Sequence, residues 1–212
     1  SLLAGGTGNS RVIPGDIRYV DLNGDNYIDW RDQDEIGKGG LPDMTYGINL
    51  NAAYKNFSVS MLFQGASGFN FTFGNQIRNI LINNVVPYKF QYDYRWTPDP
   101  NNPGVNINPN AQLPASTAAN ANANNSVVSD FWVQDGTYLR LKNLNIGYEI
   151  PTNIKDLIGV ERFKVFVSGS NLITWNNLGI YKGTFDSEGP SSQNGTTYPL
   201  IRTLSYGINI SL

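Results

Sequence analysis

Five stretches of the chain alternate apolar and polar residues with a period of two. From Met44 to Tyr54 the apolar positions are Met44, Tyr46, Ile48, Leu50, Ala52 and Tyr54. Thr45, Gly47, Asn49, Asn51 and Ala53 lie between them. Successive side chains of a strand point to opposite faces, so this stretch predicts a strand with one greasy face and one small, uncharged face. Phe57, Val59, Met61 and Phe63 repeat the pattern against Ser58, Ser60 and Gln64. Only Lys55 and Asn56 separate the two runs, which predicts a tight hairpin. The third run is Leu139 to Ile150, with Leu144, Ile146, Tyr148 and Ile150 on its apolar face. The fourth is Arg162 to Ser170, with Phe163, Val165 and Val167. The fifth is Thr203 to Leu212, with Leu204, Tyr206, Ile208, Ile210 and Leu212 against Ser205, Gly207, Asn209 and Ser211.

The connections are unequal. Pro151 to Glu161 joins the third and fourth runs and has room for one helical turn. Asn75 to Arg95 mixes Ile, Leu and aromatics without alternation, which predicts a short helix. Pro100 to Ser129 has no charged residue and is dominated by Asn, Ala and Pro, which predicts a long loop outside the core. A further loop runs from about Trp175 to Pro199. Short turns thus follow the first and third runs, and long loops follow the second and fourth. In an up-and-down sheet all short turns then share one end and all long loops the other, the layout of outer-membrane barrels. A soluble β-sandwich also alternates in this way, but its solvent face normally carries charge. Here that face is Asn, Ser, Gly and Thr, which suits a wall between lipid and a polar lumen.

Composition narrows the chemistry. The 212 residues include 15 basic and 17 acidic groups, no His and no Cys. Only 15% of residues are charged, where about a quarter is usual, so little surface is built for water alone. Zinc sites of the usual ligands, Cys nucleophiles and Ser–His–Asp triads are excluded. A formal charge of −2 marks no nucleic-acid partner. No run of about 20 apolar residues predicts a membrane helix, which leaves membrane strands of about ten residues open. No signal peptide is visible, and the start at Ser1 rather than Met suggests a processed product or a fragment.

Eight of the 17 acidic residues fall between Asp16 and Asp43. Within this stretch Asp21, Asn23, Asp25, Tyr27, Asp29 and Asp32 occupy positions 1, 3, 5, 7, 9 and 12 of an EF-hand type loop. Those positions wrap calcium with side-chain oxygens, a backbone carbonyl at position 7 and a closing carboxylate at position 12. Asn26 stands at position 6, where Gly is usual, and Asp32 is shorter than the usual Glu. Ile28 is the apolar anchor of the loop. The set predicts a structural calcium site, the alternative being an Asx-rich turn that caps a short helix at Asp29 to Glu35.

A series of blocks resembles one family. Pro14-Gly-Asp-Ile-Arg-Tyr-Val-Asp-Leu-Asn-Gly-Asp25 looks like the segment that opens the C-terminal part of SusC/RagA proteins, TonB-dependent outer-membrane transporters of the Bacteroidetes. In the same order follow Leu41-Pro-Asp-Met-Thr-Tyr-Gly47, Phe63-Gln-Gly65, Arg95-Trp-Thr-Pro98, Phe131-Trp-Val-Gln-Asp-Gly-Thr-Tyr-Leu-Arg-Leu-Lys-Asn-Leu144, Ser168-Gly-Ser-Asn-Leu172, Tyr198-Pro199 and Arg202-Thr203. The series runs from about Pro14 to Leu212. Leu212 departs from the aromatic residue that usually ends such barrels.

The resemblance implies an all-β fold of antiparallel up-and-down strands. They form the last part of a transmembrane β-barrel of about 22 strands with long external loops. Residues 1–212 are then a single section of a TonB-dependent receptor barrel, 1–43 being the calcium-loop segment and 44–212 the barrel strands and loops. The implied partners are the remainder of the same barrel and its plug, a SusD-like surface lipoprotein, TonB through the missing N-terminal part, and outer-membrane lipid. The implied function is glycan or peptide uptake, with the loops extracellular and the C-terminus periplasmic. The alternative is a secreted, calcium-stabilised β-sandwich for adhesion or carbohydrate binding. Trp96, Trp132, Trp175 and Tyr181 lie in or beside the long loops, where aromatics serve as a membrane-interface girdle or stack on sugars. An enzyme is not expected. Asp186 and Glu188 share a loop, and neighbouring loop carboxylates are usually just solvated.

Overall fold

The computed structural model describes residues 2–3, 12–78, 86–116, 124–189 and 200–212. Five long strands make one sheet: β1 (Met44–Tyr54), β2 (Phe57–Ser67), β3 (Tyr138–Glu149), β4 (Arg162–Asn176) and β5 (Thr203–Ser211). They lie side by side in chain order, and every pairing is antiparallel. Tyr54 faces Phe57 across the expected two-residue turn, where Lys55 takes a left-handed backbone with φ 52°. The link between β3 and β4 holds a seven-residue helix, Thr152–Ile158, longer than the single turn expected. β4 runs six residues past the predicted Ser170.

The register aligns the apolar positions into continuous rows. One row is Ala52, Val59, Ile146, Val167 and Tyr206, and the next is Tyr54, Phe57, Tyr148, Val165 and Ile208. On the other face Asn51, Ser60, Asn145, Ser168 and Ser205 form an uncharged polar row. No second sheet packs on the apolar face among the described residues. Tyr206 is 74% exposed and Ile208 63%, so no described residue supplies the burial that these side chains lack. A β-sandwich would bury this face, and its exposure removes that alternative.

Two irregularities keep the faces apart. In β3 the pairing skips Lys142, since Leu62 faces Asn143 and Phe63 faces Leu141. This bulge shifts the parity of the strand. Leu139 and Leu141 thereby join Leu144 and Ile146 on the apolar side, and Arg140 joins Asn143 on the polar side. A strict alternation over Leu139 to Ile150 does not reveal this switch. In β4, Asn171 and Leu172 stand against Lys142 alone, one residue more than in β3. Asn171 takes φ 52°, and Leu172 lies over Gly169, where a Cβ would come within 2.7 Å of its side chain.

The long connections are more structured than predicted. The helix expected at Asn75 to Arg95 occurs as two short pieces, α1 (Asn75–Arg78) and α2 (Lys89–Tyr94), and residues 79–85 lie outside the described residues. The stretch Pro100 to Ser129 does enter a core. Leu113, Asn124 and Asn125 are buried, with residues 117–123 again outside the described ones. Asn and Ala obscure its role, because a loop held by backbone bonds needs few apolar residues. Leu113 N–H donates to Tyr94 O at 2.8 Å and Trp96 N–H to Leu113 O at 2.9 Å.

If the apolar face meets hydrocarbon, a charge at mid-sheet is costly. Val167→Arg should remove about 2–4 kcal/mol of folding free energy in a bilayer, whereas Ser168→Arg on the polar face should fold normally. Urea titration of the full-length barrel in liposomes measures both. Equal tolerance of the two substitutions would remove the lipid assignment.

Candidate functional site

Three of the blocks that resemble the family, at Pro14–Asp25, Arg95–Pro98 and Phe131–Leu144, meet at the long-loop end of the sheet. A core of Phe71, Phe73, Ile77, Phe90, Leu113, Trp132, Leu178, Tyr181 and Phe185 gathers both long connections. The Phe73 ring centre lies 4.4 Å from Tyr181 and 4.8 Å from Phe185. Trp132, 1% exposed, donates its indole N–H to Asn125 O at 2.8 Å. Burial drives the Tyr181 hydroxyl pKa upward. Neither Trp132 nor Tyr181 therefore offers a ring to a membrane interface or a sugar; both pack the cap. Trp175 remains 46% exposed. Gln91 joins the two short helices, accepting from Tyr88 N–H at 2.8 Å and donating to Ile77 O at 3.0 Å.

The segment before the acidic loop is strapped to this cap. Ile17 N–H donates to Asn125 Oδ1 at 2.8 Å, Asn125 Nδ2 to Asp16 Oδ1 at 2.9 Å, and Asn124 Nδ2 to Ile17 O at 2.9 Å. Tyr19 Oη donates to Asn124 O at 2.5 Å, and burial pushes its pKa to about 12. Gly15, at φ 92°, presses against Trp96, where a Cβ would come within 2.6 Å of the ring. Pro14–Tyr19, Trp96 and Trp132 are thus parts of one packed unit, in which a side chain at Gly15 would meet Trp96 and Asp16 holds Asn125.

Next follows the acidic loop. Asp21 accepts from Gly24 N–H and Asn26 N–H, each at 2.7 Å. Asn23 Oδ1 accepts from Asp25 N–H at 2.8 Å, and Asp25 Oδ1 from Tyr27 N–H at 2.9 Å. Asp32 ties the end of the loop to its start, accepting from Leu22 N–H at 2.9 Å and Asp29 N–H at 2.7 Å. Asn26 takes φ 66°, the left-handed backbone that Gly would supply, and Ile28 is buried. Asp29 caps a 3-10 turn, Trp30–Asp32, shorter than the helix to Glu35. Arg31 lies among the carboxylates, 2.7 Å from Asp29 and 3.0 Å from Asp25. Tyr27 is exposed. Among the described residues no three acidic side chains form a metal-holding cluster.

A second charged group sits where the cap meets the polar face. Arg140, its side chain 2% exposed, reaches Asp186 at 2.6 Å and Glu188 at 2.5 Å. Its Nε donates to Thr174 Oγ1 at 2.9 Å. Lys142 Nζ donates to both Glu188 oxygens, at 2.7 and 2.9 Å. Asp186 and Glu188 are therefore ion-paired, not merely solvated. The partners lie 46 and 48 residues away in sequence, and the bulge that places Arg140 on this face has no sequence signature.

The hydrogen bond from Arg31 holds the Asp29 carboxyl below its ordinary pKa, and that from Asp29 N–H does the same for Asp32. Such groups stabilise the fold above the unfolded value of 3.8 and cease to do so as pH falls through the lowered value. Amide-exchange protection at Asp29 and Arg31, corrected for intrinsic rates, should hold above that value and vanish below it. Asp32→Asn should remove most of the protection at Asp29 at every pH.

No family model matches the chain. It is 29% identical over 98% of its length to TonB-dependent receptor P26 of Formosa agariphila, and 28% identical over 93% to TonB-dependent receptor P3 of the same organism. It spans 20% and 19% of those two proteins. The fold matches the RagAB peptide importer in its open-open state with a TM-score of 0.58 at 20% identity, covering 92% of this chain and 20% of that one. The closed-closed state gives 0.57 at 20% identity, covering 93% and 20%. The ordered blocks, the relatives' names and an open antiparallel sheet with one greasy face agree: the chain is similar along nearly its whole length to one section of TonB-dependent receptors, and its sheet has the fold of one arc of a β-barrel.

Proposed function

We propose that this section completes the C-terminal side of an outer-membrane importer that takes up glycans or peptides with a SusD-like lipoprotein and draws energy from TonB. The observation that carries the reading is the continuous apolar face, charge-free over five strands and left largely exposed or half-exposed by the described residues. The relatives named as TonB-dependent receptors support it. The peptide importer that shares the fold favours uptake of an oligomeric nutrient. In this reading the two-residue turn and the helical link face the periplasm. The packed cap faces outward and forms part of the vestibule under the lipoprotein. The plug, the TonB-contacting segment and the rest of the barrel belong to other parts of the receptor.

The test is the intact polypeptide that carries this sequence, purified in detergent from the outer membranes of the source cells. A mass several times 23.4 kDa, with a surface lipoprotein co-purifying, is the expected result. A product near that mass, soluble without detergent, would overturn the importer reading.

We also infer that the loop from Asp21 to Asp32 takes one calcium ion as a structural brace. The ligand spacing, the left-handed Asn26 and the buried Ile28 support this. Arg31 occupies the carboxylates that calcium needs, so the ion has to displace it from Asp25 and Asp29. Chelation should lower the thermal stability of the cap and expose the loop to protease, and Asp25→Ala should reproduce the effect. Arg31→Ala should tighten calcium binding by removing the competitor. No response of stability or proteolysis to chelator would eliminate the site.

A further inference from the structure

Loop 177–189 joins β4 to the segment before β5, and its direction can be read from what its carboxylates touch. Arg140 and Lys142 project from the polar face of β3, the face whose neighbours are Gln64 on β2 and Thr174 on β4. Asp186 and Glu188 reach both cations. The loop therefore folds back across the polar face instead of extending away from the end of the sheet. If that face lines the barrel lumen, as the importer reading holds, the loop lies over the lumen.

We propose that Arg140, Lys142, Asp186 and Glu188 form an ionic latch that keeps loop 177–189 folded inward, with Arg140 as the residue that positions it. Two cations on the barrel wall meet two anions on the loop, so the closed cluster is neutral. Arg140 is almost fully enclosed, and losing its partners would leave an uncompensated charge in a confined site. Lys142, Asp186 and Glu188 keep partial access to solvent, so opening lets water rehydrate the cluster one group at a time. The bulge supplies the geometry, because the parity switch at Lys142 brings Arg140 to the polar side while Leu139 and Leu141 stay apolar-facing. The aromatic contacts of Tyr181 and Phe185 hold the first half of the loop in the cap. The latch governs the second half, around Ser187.

Ser187 is the reporter. It is buried, and its Oγ makes no hydrogen bond among the described residues, so Ser187→Cys fits without loss. The experiment uses the intact receptor in outer-membrane vesicles, in a background free of other accessible cysteines, and a membrane-impermeant maleimide. With Arg140 intact, Ser187→Cys should label slowly. With Arg140→Met, or with Asp186→Asn and Glu188→Gln together, the rate should rise about tenfold or more, reporting a shift toward the open loop. Heat-modifiability on a gel should meanwhile show the barrel still folded. Unchanged labelling in a folded barrel would overturn the latch, as would fast labelling before any latch residue is altered. If Arg140→Met does not assemble, the loop-side pair decides. Failure of both to assemble would also overturn the proposal, because the cluster would then serve barrel formation. A receptor recovered outside the outer membrane would instead count against the importer reading on which the lumen assignment rests.

Discussion

Every backbone N–H and C=O of a sheet in hydrocarbon needs a partner inside the protein, because lipid offers none. In the importer reading that constraint governs this chain. Four interstrand ladders satisfy the inner strands, but the outer edges of β1 and β5 have no partner strand in the described sheet. In water such edges invite aggregation and are usually blunted by charge or proline. Here β1 carries neither, and β5 carries neither. Both edges are built to be paired, and a barrel is the arrangement that pairs them. The same constraint explains why the apolar rows are exposed in the chain taken alone. In the importer reading they meet lipid and not a second layer of protein.

The cap obeys different rules. Its segments cannot draw on a sheet for backbone pairing, so they combine an aromatic core with hydrogen bonds from Asn and Asp side chains. Asn124 and Asn125 bind the strap at Asp16 and Ile17, and Gln91 binds the two short helices. The result is a small folded unit seated on the end of the sheet, fixed to the polar face by Arg140. A surface built in this way can present a defined shape to a large ligand or a partner protein, as freely moving loops cannot.

The strands were legible because their periodicity is strict and uncharged. All five began within a residue of the expected position, and Lys55-Asn56 marked the hairpin. The cap was not legible. Trp132 and Tyr181 read as loop aromatics because loop composition around them hides a core assembled from segments about fifty residues apart. Leu113 stands alone in a polar stretch, and one buried leucine leaves no period. The pairing of Arg140 with Asp186 and Glu188 depends on a bulge whose position no local pattern marks. The acidic loop was partly legible. Its spacing predicted the turn, the left-handed Asn26 and the buried Ile28, but not the arginine that enters among the carboxylates. Tyr198-Pro199 lies outside the described residues.

The bulge at Lys142 also bears on how such a barrel can change over generations. Side-chain parity above and below that residue is opposite, so the strand is written in two reading frames joined at one point. Deleting Lys142 would turn half of β3 inside out, sending Arg140 to the apolar face and Leu139 and Leu141 to the polar one. A lone insertion elsewhere in β3 would do the same to the other half. Length variation in β3 is therefore confined to changes of two residues, or to paired changes that restore the frame. The connections carry no such frame, and they are where related receptors are free to differ in length.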